Sequence, residues 1–165
     1  MRSCWYHLTV GAVLVLGVLL GLDTVNASAQ VTDPRAGTWK LNVAKSKYEP
    51  GPAPKSLTVK VESAGQGEKV TSDFDNADGT HTSTQYTANF DGKDYSLTGS
   101  TLGADKISLK RVDARTTIRT DKKGDKVVQT LTRVVSQDGK TMTVTTKGTN
   151  AQGQPMNNVA VFEKQ

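Results

Sequence analysis

Thiols are nearly absent from this sequence: its single cysteine, Cys4, precedes an apolar run that reads as a removable leader. Beyond that leader no disulfide, lipidated cysteine or cysteine nucleophile can be built. Histidine is almost as scarce, with His81 alone past His7, so a zinc site of Cys and His is excluded by count. Aromatic residues are few as well; Trp39, Tyr48, Phe74, Tyr86, Phe90, Tyr95 and Phe162 are all that follow the leader. Pockets are usually lined by apolar and aromatic side chains, so this supply allows one modest cavity or an interior filled by its own side chains. No run of consecutive basic residues concentrates the net charge of +5, which reads as a mixed, solvated surface and not as a nucleic-acid footprint. No window past the leader has an apolar helical period, so almost no helix is expected.

The leader itself has Arg2 and His7 ahead of the apolar stretch Leu8 to Leu22, then the small residues Ala27-Ser28-Ala29 of a processing site. The stretch is shorter than the roughly 20 residues of a membrane helix, and Asp23 ends it. It reads as a secretory signal peptide, residues 1–29, whose cleavage after Ala29 leaves Gln30 first. Residues 30–165 then form one domain, long enough to bury a core without disulfides. No stable membrane insertion is expected, and the product is periplasmic or extracellular.

What the exported part does have is Thr, Val and hairpin punctuation. Asp78-Gly79, Asp91-Gly92 and Asp138-Gly139 each separate alternating segments. Strands are expected near 37–42, 56–63, 67–74, 80–90, 93–99, 104–112, 114–121, 124–136, 139–148 and 154–163. A meander of that many short strands curls, and closing it removes the exposed edges, so an all-β, up-and-down antiparallel barrel of about 8–10 strands is the expectation. Gly37-Thr38-Trp39-Lys40-Leu41 opens the first strand, with Trp39 suited to plugging one end. Between the first two strands, Pro50, Pro52 and Pro54 forbid a helix and make an extended strap.

Alternation also sorts the side chains. Leu57, Val59 and Val61 share a face, as do Val70 and Phe74, Tyr86, Ala88 and Phe90, Tyr95 and Leu97, and Ile107 and Leu109; Met142 and Val144 read as core. The same parity puts Arg111 in phase with Ile107 and Leu109, and Arg133 in phase with Val127, Leu131 and Val135. Val128 and Val134 on the other face leave the phase of that strand open. An inward arginine must be paired, hydrated or ligand-bound, which makes Arg133 and Arg111 candidate anchors for an anionic group. Tyr86 and Tyr95 are core or cross-strand residues that can also stack on a ligand or offer it a phenol.

Gly37-Thr38-Trp39-Lys40-Leu41, Leu131-Thr132-Arg133-Val134-Val135 running into Asp138-Gly139-Lys140, and the closing Val159-Ala160-Val161-Phe162-Glu163-Lys164 resemble stretches of intracellular fatty-acid-binding proteins and, more broadly, of the lipocalin-like or calycin superfamily. The leader and strap are similar to those of small bacterial secreted proteins. The resemblance implies a barrel holding a small hydrophobic molecule, often a fatty acid whose carboxylate meets an inward arginine and an Arg-x-Tyr pair on the last strand. Arg133 matches the first arginine, whereas Ala160 and Phe162 stand where the pair would be, so a carboxylate keeps at most one partner. The helical lid of that family is replaced by the strap, which implies a more open mouth and faster ligand exchange.

Two further clusters have bland readings. His81 with Ser83 and Asp73 or Asp75 assembles a triad only on paper, and an exposed hairpin histidine is the simpler reading. Asp73, Asp75, Asn76, Asp78 and Gly79 lack the closing Glu of a calcium loop, since Thr84 and Tyr86 stand there. The expectation is therefore no catalysis, no metal and no cofactor. It is a monomeric binding protein for a small lipophilic or amphipathic molecule, an anionic one included, with Arg133, Arg111, Tyr86, Tyr95 and Phe162 lining the site. The alternative is a filled barrel acting through its outer surface as an envelope or protein-interaction module.

Overall fold

Each alternating segment becomes a strand, because residues two apart can then be buried together while their neighbours meet water. The computed structural model describes residues 33–99 and 102–165. Its strands are β1 (Gly37–Leu41), β2 (Ser56–Ala64), β3 (Gly67–Asp75), β4 (His81–Asn89), β5 (Asp91–Thr98), β6 (Lys106–Arg111), β7 (Thr116–Lys123), β8 (Lys126–Val135), β9 (Thr141–Thr149) and β10 (Pro155–Lys164). Each pairs antiparallel with its sequence neighbours, and β1 pairs with β10 to close the barrel. The signal-peptide reading and the cleavage after Ala29 lie outside the described residues.

In a meander the turns alternate between two ends. At the end that holds Asp33 and Gln165, β1 begins, β10 finishes, and the β2–β3, β4–β5, β6–β7 and β8–β9 turns lie. Trp39 is fully buried, donates from Nε1 to the Arg35 carbonyl at 2.8 Å, and carries Lys164 Nζ 5.1 Å from its ring centroid. The opposite end belongs to the strap. After the short 3-10 turn Val43–Lys45, Lys47 resumes pairing along β10 with reciprocal 2.7 Å bonds to Val159, and Asn157 N donates to the Glu49 carbonyl at 2.7 Å. This continuation turns Tyr48 toward the interior before the prolines carry the chain to β2.

The Asp91-Gly92 turn stands where the sequence places it, since the β4–β5 register, Gln85↔Thr98 and Tyr86↔Leu97, centres on that pair, although β5 takes in Asp91 through its pairing with Lys110 of β6. The Asp91 side chain accepts from Lys93 N and from Tyr95 Oη, both at 3.0 Å, which orders the start of β5. One expectation needs correction. In β8, Val127 is 51% exposed and not in phase with Arg133. The register against β7 passes from Asp121↔Gln129 to Lys122↔Val127, so Val128 is an extra, bulged residue that reverses the alternation. Beyond the bulge Gln129, Leu131, Arg133 and Val135 face inward, while Val134 is exposed.

Candidate ligand cavity

The interior is not filled. A cavity of about 250 Å³ runs from the strap toward the terminal end. Its wall is mainly apolar, with Leu57, Val59 and Val70 on one side and Met142, Val144 and Phe162 on the other, as two-residue alternation on β2, β3, β9 and β10 dictates. Tyr48 borders it at the strap, beside an open groove of about 510 Å³ between the strap prolines and the β3–β4 turn. Burial raises the Tyr48 phenol to about 12.

At the terminal end the cavity meets charge. Arg133 and Tyr86 line it, 5% and 3% exposed, and both donate to the same atom, Oε1 of Glu68, Tyr86 at 2.7 Å. Glu68 is itself 2% exposed, and its Oε2 lies 3.7 Å from Arg35 Nη1. Burial pushes the Tyr86 phenol up to about 12, so at neutral pH it is a committed hydrogen-bond donor. For Arg133 burial works against the charge, but Glu68 and Tyr86 more than restore it and the guanidinium stays protonated. Arg133 Nε is buried without an acceptor.

A second pair stands farther up the wall. Arg119 grips Asp121 with both arms, Nε to Oδ1 at 2.5 Å and Nη2 to Oδ2 at 2.8 Å, and Gln129 Nε2 adds a 2.7 Å bond to Oδ2. The Arg119 guanidinium also lies 4.7 Å from the centroid of the Tyr86 ring. Asp121 is thus fully engaged although it is buried in the barrel.

Three of the five sequence candidates, Arg133, Tyr86 and Phe162, are brought together in this wall; Arg111 and Tyr95 are not among its lining residues. Arg111 keeps the parity of Ile107 and Leu109 but is the last residue of β6, where the barrel interior ends. Its side chain is 42% exposed, bonded to Asp33 Oδ2 at 3.0 Å and stacked 4.5 Å from the Phe90 centroid. Arg35 stacks on Phe90 at the same distance and is held by Asp33, forming a polar plug across the terminal end. Tyr95 is half-buried and turned to Asp91 by its hydroxyl.

Sequence reasoning missed Glu68, Arg119, Asp121 and Gln129. The β3 parity carried a signal, since Glu68 is two residues before Val70; for Arg119 and Asp121 the flanking residues are too polar to reveal a phase. His81 is exposed, with Nδ1 3.1 Å from Asp75 and Nε2 4.0 Å from Asp73, on the hairpin tip and away from the cavity. Among the described residues no group of three His, Cys, Asp or Glu side chains is placed to hold a metal ion.

No protein-family model and no curated protein matches the sequence. By structure the chain is similar to the zebrafish ileal bile-acid-binding protein crystallised with cholic acid. The TM-score is 0.51 at 15% identity, over 80% of this chain and 99% of that one. The fold is thus that of a calycin-like, fatty-acid-binding-protein-like barrel.

Proposed function

We propose that this protein is an exported binding protein that holds one small lipophilic or amphipathic molecule inside its barrel. The observation that carries this reading is the cavity of about 250 Å³, whose apolar wall ends on a buried polar cluster. That volume lies just below the usual range for ligand pockets, so the occupant is small or short-chained. The barrel's similarity to a protein crystallised with cholic acid supports the reading at the level of fold. The apolar leader and its Ala27-Ser28-Ala29 site support a place in the periplasm or outside the cell. Among the described residues the exposed large apolar side chains are four valines, Val43, Val112, Val127 and Val134, which gives an outer-surface role less to stand on than the interior.

The test is native mass spectrometry of protein purified gently from a secreting host, followed by titration of the delipidated protein with decanol. Leu131 faces the cavity, and Leu131→Trp fills it from a partly buried position. A bound small molecule in the wild type that is absent from a folded Leu131→Trp variant supports the carrier. Equal binding by the two, or no binding by either, rejects it.

A further inference from the structure

Resting on the carrier reading above, we infer that the cavity selects an uncharged amphiphile bearing a hydroxyl or carbonyl oxygen over a carboxylate of the same chain length. An inward arginine by itself invites an anion, but both arginines of this wall arrive already neutralised. Arg133 is paired with Glu68 and Arg119 with Asp121, so each of the two cations that line the cavity faces an anion; Arg35, outside the lining, is held by Asp33 and lies 3.7 Å from Glu68 Oε2. Tyr86, a neutral donor of the same wall, has spent its proton on Glu68.

An entering carboxylate would leave its water shell, add a third negative charge near Glu68 and Asp121, and find no uncommitted cation to compensate. Charge-assisted bonds are the strong ones, and here protein partners have taken them. An ammonium head fares no better. Both Asp121 oxygens are occupied by Arg119 and Gln129, and Glu68 Oε1 by Arg133 and Tyr86, while Glu68 Oε2 has no hydrogen-bond partner but is buried outside the cavity lining, 3.7 Å from Arg35 Nη1. What remains is suited to a neutral oxygen. Ser72 and Thr84 supply hydroxyls along the same wall, whereas Arg133 Nε is buried within the protein, out of a ligand's reach. A ligand hydroxyl or carbonyl can bond to these hydroxyls without disturbing the balance of charge.

Replacing Glu68 by Gln keeps the shape, removes one negative charge, and leaves Arg133 a free cation. The experiment is calorimetric titration of the delipidated protein with decanol and with decanoate at neutral pH. The wild type is expected to prefer decanol by about tenfold or more, and Glu68→Gln to narrow or reverse that ratio by a similar factor. Asp121→Asn, which releases Arg119 in the same manner, is run alongside, so that the ratio can still be read in one variant if the other misfolds. Decanoate bound by the wild type as tightly as decanol overturns the inference while leaving the carrier reading intact. An unchanged ratio in a folded variant overturns it too. Binding of neither probe by a folded wild type removes the carrier reading and the inference together.

Discussion

The carboxylate of Glu68 on β3 and the guanidinium of Arg133 on β8 meet inside the barrel, 65 residues apart in the chain and both almost wholly buried. With Tyr86 of β4 donating to the same oxygen, the pair ties one wall of the barrel to the other. A cavity arginine here is therefore first a structural group. Its truncation reports on folding before it reports on binding, which is why the carrier test uses Leu131.

Removing one partner strands the other as an uncompensated buried charge. Glu68→Ala or Arg133→Ala alone is expected to lower stability by about 3–5 kcal/mol, whereas the paired change Glu68→Leu with Arg133→Met is expected to recover most of that loss. Urea unfolding of the two single variants and the double variant, read as a double-mutant cycle, checks this. Additive losses would mean that the ion pair does not couple the two sites.

Tyr48 and Tyr86 both have phenols raised by burial from 10.0 to about 12. A raised folded value contributes stability that is fully present below the unfolded value and is lost as pH climbs through the folded one. Stability should therefore fall between pH 10 and about 12. Absorbance titration should show two late-ionising tyrosines, of which Tyr48→Phe and Tyr86→Phe each remove one. If neither variant removes a late step, the burial of these phenols is misassigned.

The strands were legible because alternation of period two is local, and β2, β3 and β9 begin and end within two residues of the expected bounds. What was not legible depended on partners far along the chain. Nothing near Arg133 names Glu68, which becomes its partner only when β3 and β8 are brought to opposite sides of a closed barrel. The phase of β8 was ambiguous for a physical reason, since a bulge at Val128 lets Val127 and Val134 face solvent while Leu131 and Arg133 face in. Arg111 shows the converse limit of parity. It has the right alternation, but it stands where the strand leaves the barrel and packs on Phe90 and Asp33.

Asp33 leads to a prediction at acid pH. Partial burial works against its ionisation, but the hydrogen bonds and charge of Arg35, helped by Arg111, hold its carboxyl below 3.8. A depressed folded value contributes stability above the unfolded pKa and loses it as pH falls through the folded one. The stability difference between wild type and Asp33→Asn should therefore be constant well above pH 3.8 and shrink below it. Denaturant midpoints measured across that range decide the matter; a difference that does not change with pH would exclude an ionic role for Asp33.

Gly148 pairs with Gln129 beside the Val128 bulge, where two backbones approach too closely for a side chain. A Cβ at this position would lie 2.4 Å from the Val128 carbonyl oxygen and 2.8 Å from Gln129 Cα, so the main chain of β8 would have to move. Overpacking of this kind typically costs about 1–3 kcal/mol. Gly148→Ala should therefore be destabilised by that amount, while Lys147→Ala, on the exposed neighbour, should stay within about 0.5 kcal/mol of wild type. Because Gln129 holds Asp121 at 2.7 Å, the displaced backbone should also loosen the Arg119–Asp121 pair. Loss of decanol affinity in Gly148→Ala, without a comparable loss in Lys147→Ala, would show that the bulge positions the cavity wall as well as closing the sheet.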